Sequence, residues 1–167
     1  MKTTNSNFIL YTKNFIFGAE DSLVSTVGLL AGIVAAGVTK KEVVISGIVL
    51  ICVEAFSMSV GSFLSEKATE ESSTEIKKSK KSNPLLASII MFISYFVCGL
   101  IPLLPYFIIV TQQAFWLSIV ASLISLFILG IISGKILKIN ILKNSIRIFI
   151  MGGLAICFGV IVGMLIK

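Results

Sequence analysis

Long uncharged apolar runs alternate with short polar breaks along the chain, and the breaks set the elements. The first run covers residues 15–38, with Glu20 and Asp21 near its start, and the second covers 43–65, interrupted only by Glu54. Between Ser82 and Gly134 no charged residue occurs, a stretch too long for one helix. The polar trio Thr111-Gln112-Gln113, preceded by Pro102 and Pro105, divides it into runs 85–109 and 114–134. A fifth run, 146–166, has Arg147 at its mouth. Each run matches the roughly 20 apolar residues that a membrane-spanning helix needs. Proline removes a backbone donor and clashes with the preceding turn, so Pro-Leu-Leu-Pro is expected to kink or end the third helix. The pattern predicts an all-α integral membrane protein. Residues 1–167 form a single five-helix transmembrane domain, with a short charged cytoplasmic loop at 66–83.

Composition agrees with the bilayer as solvent. The chain is 56% hydrophobic and 13% charged, with mean hydropathy +1.04, more apolar than a soluble core can hide. The net charge of +6 does not point to nucleic acid, because the lysines gather at helix ends and loops. With a cytoplasmic N-terminus, that side receives Lys2, Lys13, Lys67, Lys77, Lys78, Lys80, Lys81, Lys135, Lys138, Lys143 and Arg147. The other side receives Lys40, Lys41 and Lys167, a positive-inside bias that puts the C-terminus outside. Residues 1–13 read as a cytoplasmic tail without a cleavage site. Cys52, Cys98 and Cys157 lie far apart in apolar runs and read as free, buried thiols. The absence of histidine excludes His-based metal sites and proton relays. No internal repeat is evident.

Against that background, acidic residues inside the runs stand out. A charge at the centre of a spanning helix costs roughly 2.5–3.5 kcal/mol, so such residues usually mark a path for ions or protons. Counted from the expected helix ends at about 1.5 Å per residue, Asp21 lies roughly 9 Å and Met58 roughly 10 Å deep, at one level. Glu54 is one turn deeper than Met58 on the same face, since residues four apart stack. Carboxylate oxygens suit Mn²⁺ and Fe²⁺, a thioether favours softer transition metals over Mg²⁺ or Ca²⁺, and each carboxylate can exchange a proton for metal. Asp21, Glu54 and Met58 are therefore the candidate metal ligands, and divalent-metal transport the function they indicate.

Structural readings of the same residues stand beside that one. Met58 can be a gap-filling core residue, Glu54 a protonated carboxyl bonded within the bundle, and Asp21 an interfacial cap. Glu20 is an interfacial charge or a secondary ligand. Glu66 and Glu70, with Glu71 and Glu75, form i,i+4 pairs if the second helix continues into the cytoplasm. They either collect cations at the pore mouth or belong to a solvated helix stub ahead of Lys77-Lys78-Ser79-Lys80-Lys81, which would rest on anionic headgroups. Gly28 and Gly32, extended by Ala36, and Gly159 and Gly163 are small-xxx-small steps that allow close helix packing or dimerisation. No nucleophile–base pair or phosphate-cradling loop suggests an enzyme. Ser25, Ser57 and Ser59 offer hydroxyls expected to bond within the bundle.

The order of motifs resembles the vacuolar iron transporter family. Asp21-Ser22 is followed by Thr26-Val27-Gly28-Leu29-Leu30-Ala31-Gly32, then by Ser57-Met58, Gly61 and Leu64-Ser65. Pro102 to Pro105 close the third run, and Gly152-Gly153, Gly159 and Gly163 mark the last. The resemblance implies a five-helix homodimer that exports Fe²⁺, often also Mn²⁺, from the cytoplasm by proton antiport, with a pathway at the dimer interface. It also implies that Asp21 and Met58 are pathway ligands. The chain departs from the family in having Ser22 after Asp21, Leu50 two turns before Met58 with Glu54 one turn before it, and Gly61-Ser62-Phe63 in place of Gly-Glu-Tyr. Only about 18 residues join the second and third runs, so the long cytoplasmic metal-binding domain of many members is absent, as in nodulin-like members.

Together these readings predict an Fe²⁺/Mn²⁺ transporter in a prokaryotic plasma membrane, with no permanently bound cofactor and with metal ions as substrate. Its partners are the lipid bilayer, divalent metals, protons and a second copy of itself. The alternative is a non-transporting helical membrane scaffold that keeps the fold.

Overall fold

The computed structural model describes residues 6–72 and 83–166. Five helices follow one another: α1 (Ser6–Ala35), α2 (Lys40–Ser72), α3 (Pro84–Ile108), α4 (Thr111–Leu137) and α5 (Ile141–Ile166). All five are long and apolar enough to cross a membrane. No strand occurs among the described residues. The lysine cluster 77–81, Glu75, Lys2 and Lys167 lie outside them.

Short segments between the helices satisfy several of their orphan backbone groups. Gly37 turns the chain at φ 86°, a conformation costly for residues with a Cβ. Thr39 and Glu42 then form a reciprocal cap: the Glu42 carboxylate accepts from the Thr39 amide and hydroxyl, both at 2.7 Å, and Thr39 Oγ1 accepts from the Glu42 amide at 3.4 Å. Asn83 Oδ1 accepts from the Leu86 amide at 3.2 Å, with Pro84 pre-set for the first helical turn. Lys138 adopts the left-handed conformation that stops α4, and Asn140 Oδ1 caps α5 through the Lys143 amide at 3.0 Å.

Two helices outrun their apolar segments. The helix of α1 begins at Ser6, so most of the polar tail expected over 1–13 is helical, and α2 continues to Ser72 beyond the apolar stretch. Backbone hydrogen bonds persist past the hydrocarbon boundary where side chains are compatible with helix, and the hydropathy pattern does not register this. The Pro-Leu-Leu-Pro motif lies inside α3, which passes both prolines and ends one turn later, at Ile108. Ser118 of α4 donates to the Pro102 carbonyl at 2.7 Å, tying α4 to this segment.

The central helix is α1, which packs against all four others and is the most buried. It is flanked by α3 and α5, while α4 packs against α1, α3 and α5, and α2 leans mainly on α3. The α1–α5 contact is made by the two glycine steps meshing with each other. A Cβ at Gly159 would land on the Gly28 carbonyl, one at Gly163 on the Gly32 carbonyl, and one at Gly32 2.7 Å from the Gly159 carbonyl. Both small-residue stripes are thus used inside one chain, backbone against backbone. The cysteines are free, but Cys52 and Cys157 are exposed on their helices and only Cys98 is partly covered, which corrects the expectation that all three are buried. In a membrane the lipid-facing surface is as apolar as a core, so an apolar neighbourhood does not distinguish the two.

Candidate functional site

Three helices bring the polar residues of the bundle together at the level of Asp21. On α1, Ser22 Oγ donates to the Tyr95 carbonyl of α3 at 2.5 Å, and the Ser25 hydroxyl lies 2.7 Å from the Tyr95 hydroxyl. Ser22 and Ser25 are three apart, so they stack on one face and clasp the tyrosine from both ends. Tyr95 itself is fully buried. Asp21, one turn before Ser25, is half-buried and within electrostatic reach of Glu54 on α2, and both carboxylates lie within reach of Tyr95. The charged neighbour that Asp21 meets is thus another acid. Glu20, beside it, faces Arg147 of α5.

Asp21 and Met58 do not share a level. Ser62 of α2 donates to Asn14 Oδ1 of α1 at 2.6 Å, which sets the antiparallel register of the two helices. Stepping along each helix from that bond puts Met58 opposite Gly18 and Glu54 opposite the Asp21–Ser22 turn. The count from expected helix ends erred by about one turn, because α1 begins before Phe15 and α2 runs past Ser65.

Four of the candidate ligands line two grooves beside α1, and Glu54 lines neither. Glu20 and Asp21 open, with Met151 and Phe158 of α5, onto a groove of ≈ 600 Å³. Met58 and Glu66 open, with Asn14 and Met91, onto a groove of ≈ 420 Å³ between α1, α2 and α3. Phe17 borders both and separates them. Glu70 lies on the α2 extension and lines neither. Among the described residues no three His, Cys, Asp or Glu side chains gather closely enough to hold a metal ion. Within one chain the carboxylates nearest this level are Glu20, Asp21 and Glu54, of which Glu20 faces Arg147.

The chain matches the VIT family over residues 12–82 and 68–164. It belongs to the VIT family. It is similar to vacuolar iron transporter homolog 2 of Arabidopsis thaliana, with 27% identity across 84% of this chain and 76% of that protein. Vacuolar iron transporter 1 of Tulipa gesneriana is 24% identical across 86% and 82% of the two chains. An uncharacterised protein of Methanocaldococcus jannaschii is 30% identical across 88% and 86%. Family membership and five spanning helices make this VIT-family chain an integral membrane protein.

Tyr95, Asn14 and Met91 are the site residues that sequence reasoning misses. One signal was present: Asn14, Gly18, Asp21 and Ser25 fall at helical spacing along α1, a polar and small stripe in an otherwise apolar segment. Nothing comparable marks Tyr95, an aromatic in an apolar run.

Proposed function

We propose that this VIT-family chain carries divalent transition metal, Fe²⁺ or Mn²⁺, out of the cytoplasm in exchange for protons, through a pathway formed where two copies meet. One observation carries the reading: Asp21 of α1 and Glu54 of α2 lie within electrostatic reach of each other at membrane depth, and Asp21 opens onto the groove beside α5. Two carboxylates so placed repel when both are ionised, and either protons or a dication relieve that repulsion. Competition between the two for the same oxygens couples metal movement to proton movement.

The rest of the face suits such a path. A second copy laid across the α1–α5 groove by two-fold symmetry doubles the carboxylate set that one chain leaves short of a full coordination sphere. Met58, a turn nearer the N-terminal end of α1, adds a thioether on the way in, and Glu66 and Glu70 extend the acidic line along α2. The positive-inside distribution of cations supports a cytoplasmic position for that end. The relatives named vacuolar iron transporters support the same cargo.

Flux from proteoliposomes tests the reading. Fe²⁺, Mn²⁺ and Zn²⁺ movement is measured with and without a pH gradient, for wild type and for Asp21→Asn and Glu54→Gln. Gradient-driven Fe²⁺ or Mn²⁺ flux that either substitution abolishes supports it. Wild-type rates in both variants remove the two carboxylates from the pathway, and no flux in wild type means that the chain is a scaffold rather than a carrier.

A further inference from the structure

The groove of ≈ 420 Å³ between α1, α2 and α3 that holds Met58 also holds Met91 and Asn14, which the carboxylate pathway does not explain. Met58 of α2 and Met91 of α3 both line it, so two thioethers reach one space. Met91 is 4% exposed, and its sulfur lies where Gly18 leaves room: a Cβ on Gly18 would stand 3.0 Å from that Sδ. Asn14 supplies an oxygen of fixed orientation. Its amide nitrogen donates to the Leu10 carbonyl at 3.0 Å and its Oδ1 accepts from Ser62 at 2.6 Å, which leaves one carbonyl lone pair uncommitted. Asn14 is itself buried, with 6% exposure.

Charge does not dominate this groove. Lys13 and Glu66 both contribute to the lining, and their formal charges cancel. Ions are therefore sorted here by ligand softness rather than drawn in by net charge. Two polarisable sulfurs with one amide oxygen favour softer dications over Mn²⁺, Mg²⁺ or Ca²⁺, which prefer all-oxygen ligands.

We infer that this groove is a soft-metal capture site, in which Met91 and Met58 bind one ion through their sulfurs with Asn14 Oδ1 as third ligand, ahead of the Asp21–Glu54 level. The inference rests on the transport reading for its place in a pathway, but its ligand set stands on the groove alone. Met91 is a specificity-determining residue: it sets which metal is retained at the mouth, and the carboxylates set what moves onward.

Cd²⁺, a soft dication that is stable in air, is the probe. Calorimetric titration of the detergent-purified protein compares Cd²⁺ and Mn²⁺ binding by wild type and by Met91→Leu, a volume-conserving change. Cd²⁺ affinity is expected to fall by about tenfold in the variant, the scale on which metal sites respond to loss of a supporting group, with Mn²⁺ affinity nearly unchanged. Unchanged Cd²⁺ affinity overturns the inference, as does an equal loss for both ions, which makes Met91 a packing residue. A second measurement needs only wild type: peroxide oxidation of methionines, followed by mass spectrometry with and without Cd²⁺. Slower sulfoxide formation at both Met58 and Met91, with exposed Met164 as the unprotected reference, supports the site, and no protection overturns it. Neither measurement involves transport. A wild type silent for Fe²⁺ and Mn²⁺ flux thus removes the transport reading while Cd²⁺ binding still decides this one.

Discussion

Ser62 of α2 donates a 2.6 Å hydrogen bond to the side-chain oxygen of Asn14 on α1, and this contact fixes which residues of the two helices face each other. It brings Glu54, rather than Met58, to the level of Asp21. The two carboxylates lie within electrostatic reach of each other, and a shared metal site would make them interdependent. Asp21→Asn and Glu54→Gln are expected to be non-additive, with a coupling of about 1 kcal/mol in Mn²⁺ affinity, as for residues sharing one network. A double-mutant cycle by calorimetry checks this, and strictly additive losses would separate the two sites.

Metal that binds the folded protein and not the unfolded chain raises its stability. With Mn²⁺ at a hundred times its dissociation constant the gain is about 2.7 kcal/mol. Thermal unfolding in detergent should show the transition moving up with Mn²⁺ and back with a chelator. In Glu54→Gln most of the gain should vanish.

The glycine mesh between α1 and α5 sets a different expectation. Gly163→Ala places a methyl group on the Gly32 carbonyl, and overpacking of this kind costs about 1–3 kcal/mol. Gly153→Ala is the control, since a Cβ there meets nothing within 4 Å. A lower melting temperature for the first and not the second confirms that the stripe works within the protomer. A shift in oligomeric state with unchanged protomer stability would assign it to the dimer instead.

Tyr95→Phe removes a single hydroxyl from the Ser25 contact and leaves the Ser22 bond to the Tyr95 carbonyl in place. The expected loss is small, about 0.6–1 kcal/mol, the usual worth of one such bond inside a bundle. Metal flux should fall far less than in Asp21→Asn. A loss as large as that of Asp21→Asn would make the tyrosine a direct participant.

Much of the fold was legible because the bilayer imposes length and apolarity on every spanning helix. The five elements and most of their bounds follow from that constraint alone, and so does the anomaly of Asp21 and Glu54. Depth was not legible. Apolarity ends at the headgroups, whereas α1 and α2 continue as helix beyond them, so counting from apolar edges misplaced Met58 by a turn. Partners were not legible either. The clasp on Tyr95 depends on how α3 is rotated against α1, and the sulfur of Met91 depends on the gap above Gly18. Both are properties of packing between helices, which no single helix encodes.

Where α1 meets α5, carbonyl oxygens rest on glycine backbones with no side chain between them. Side-chain layers can yield by changing rotamer, but main chain has no such play. The two helices are therefore joined at that seam without rotamer play, and the part of α1 beside it has no freedom to move independently of α5.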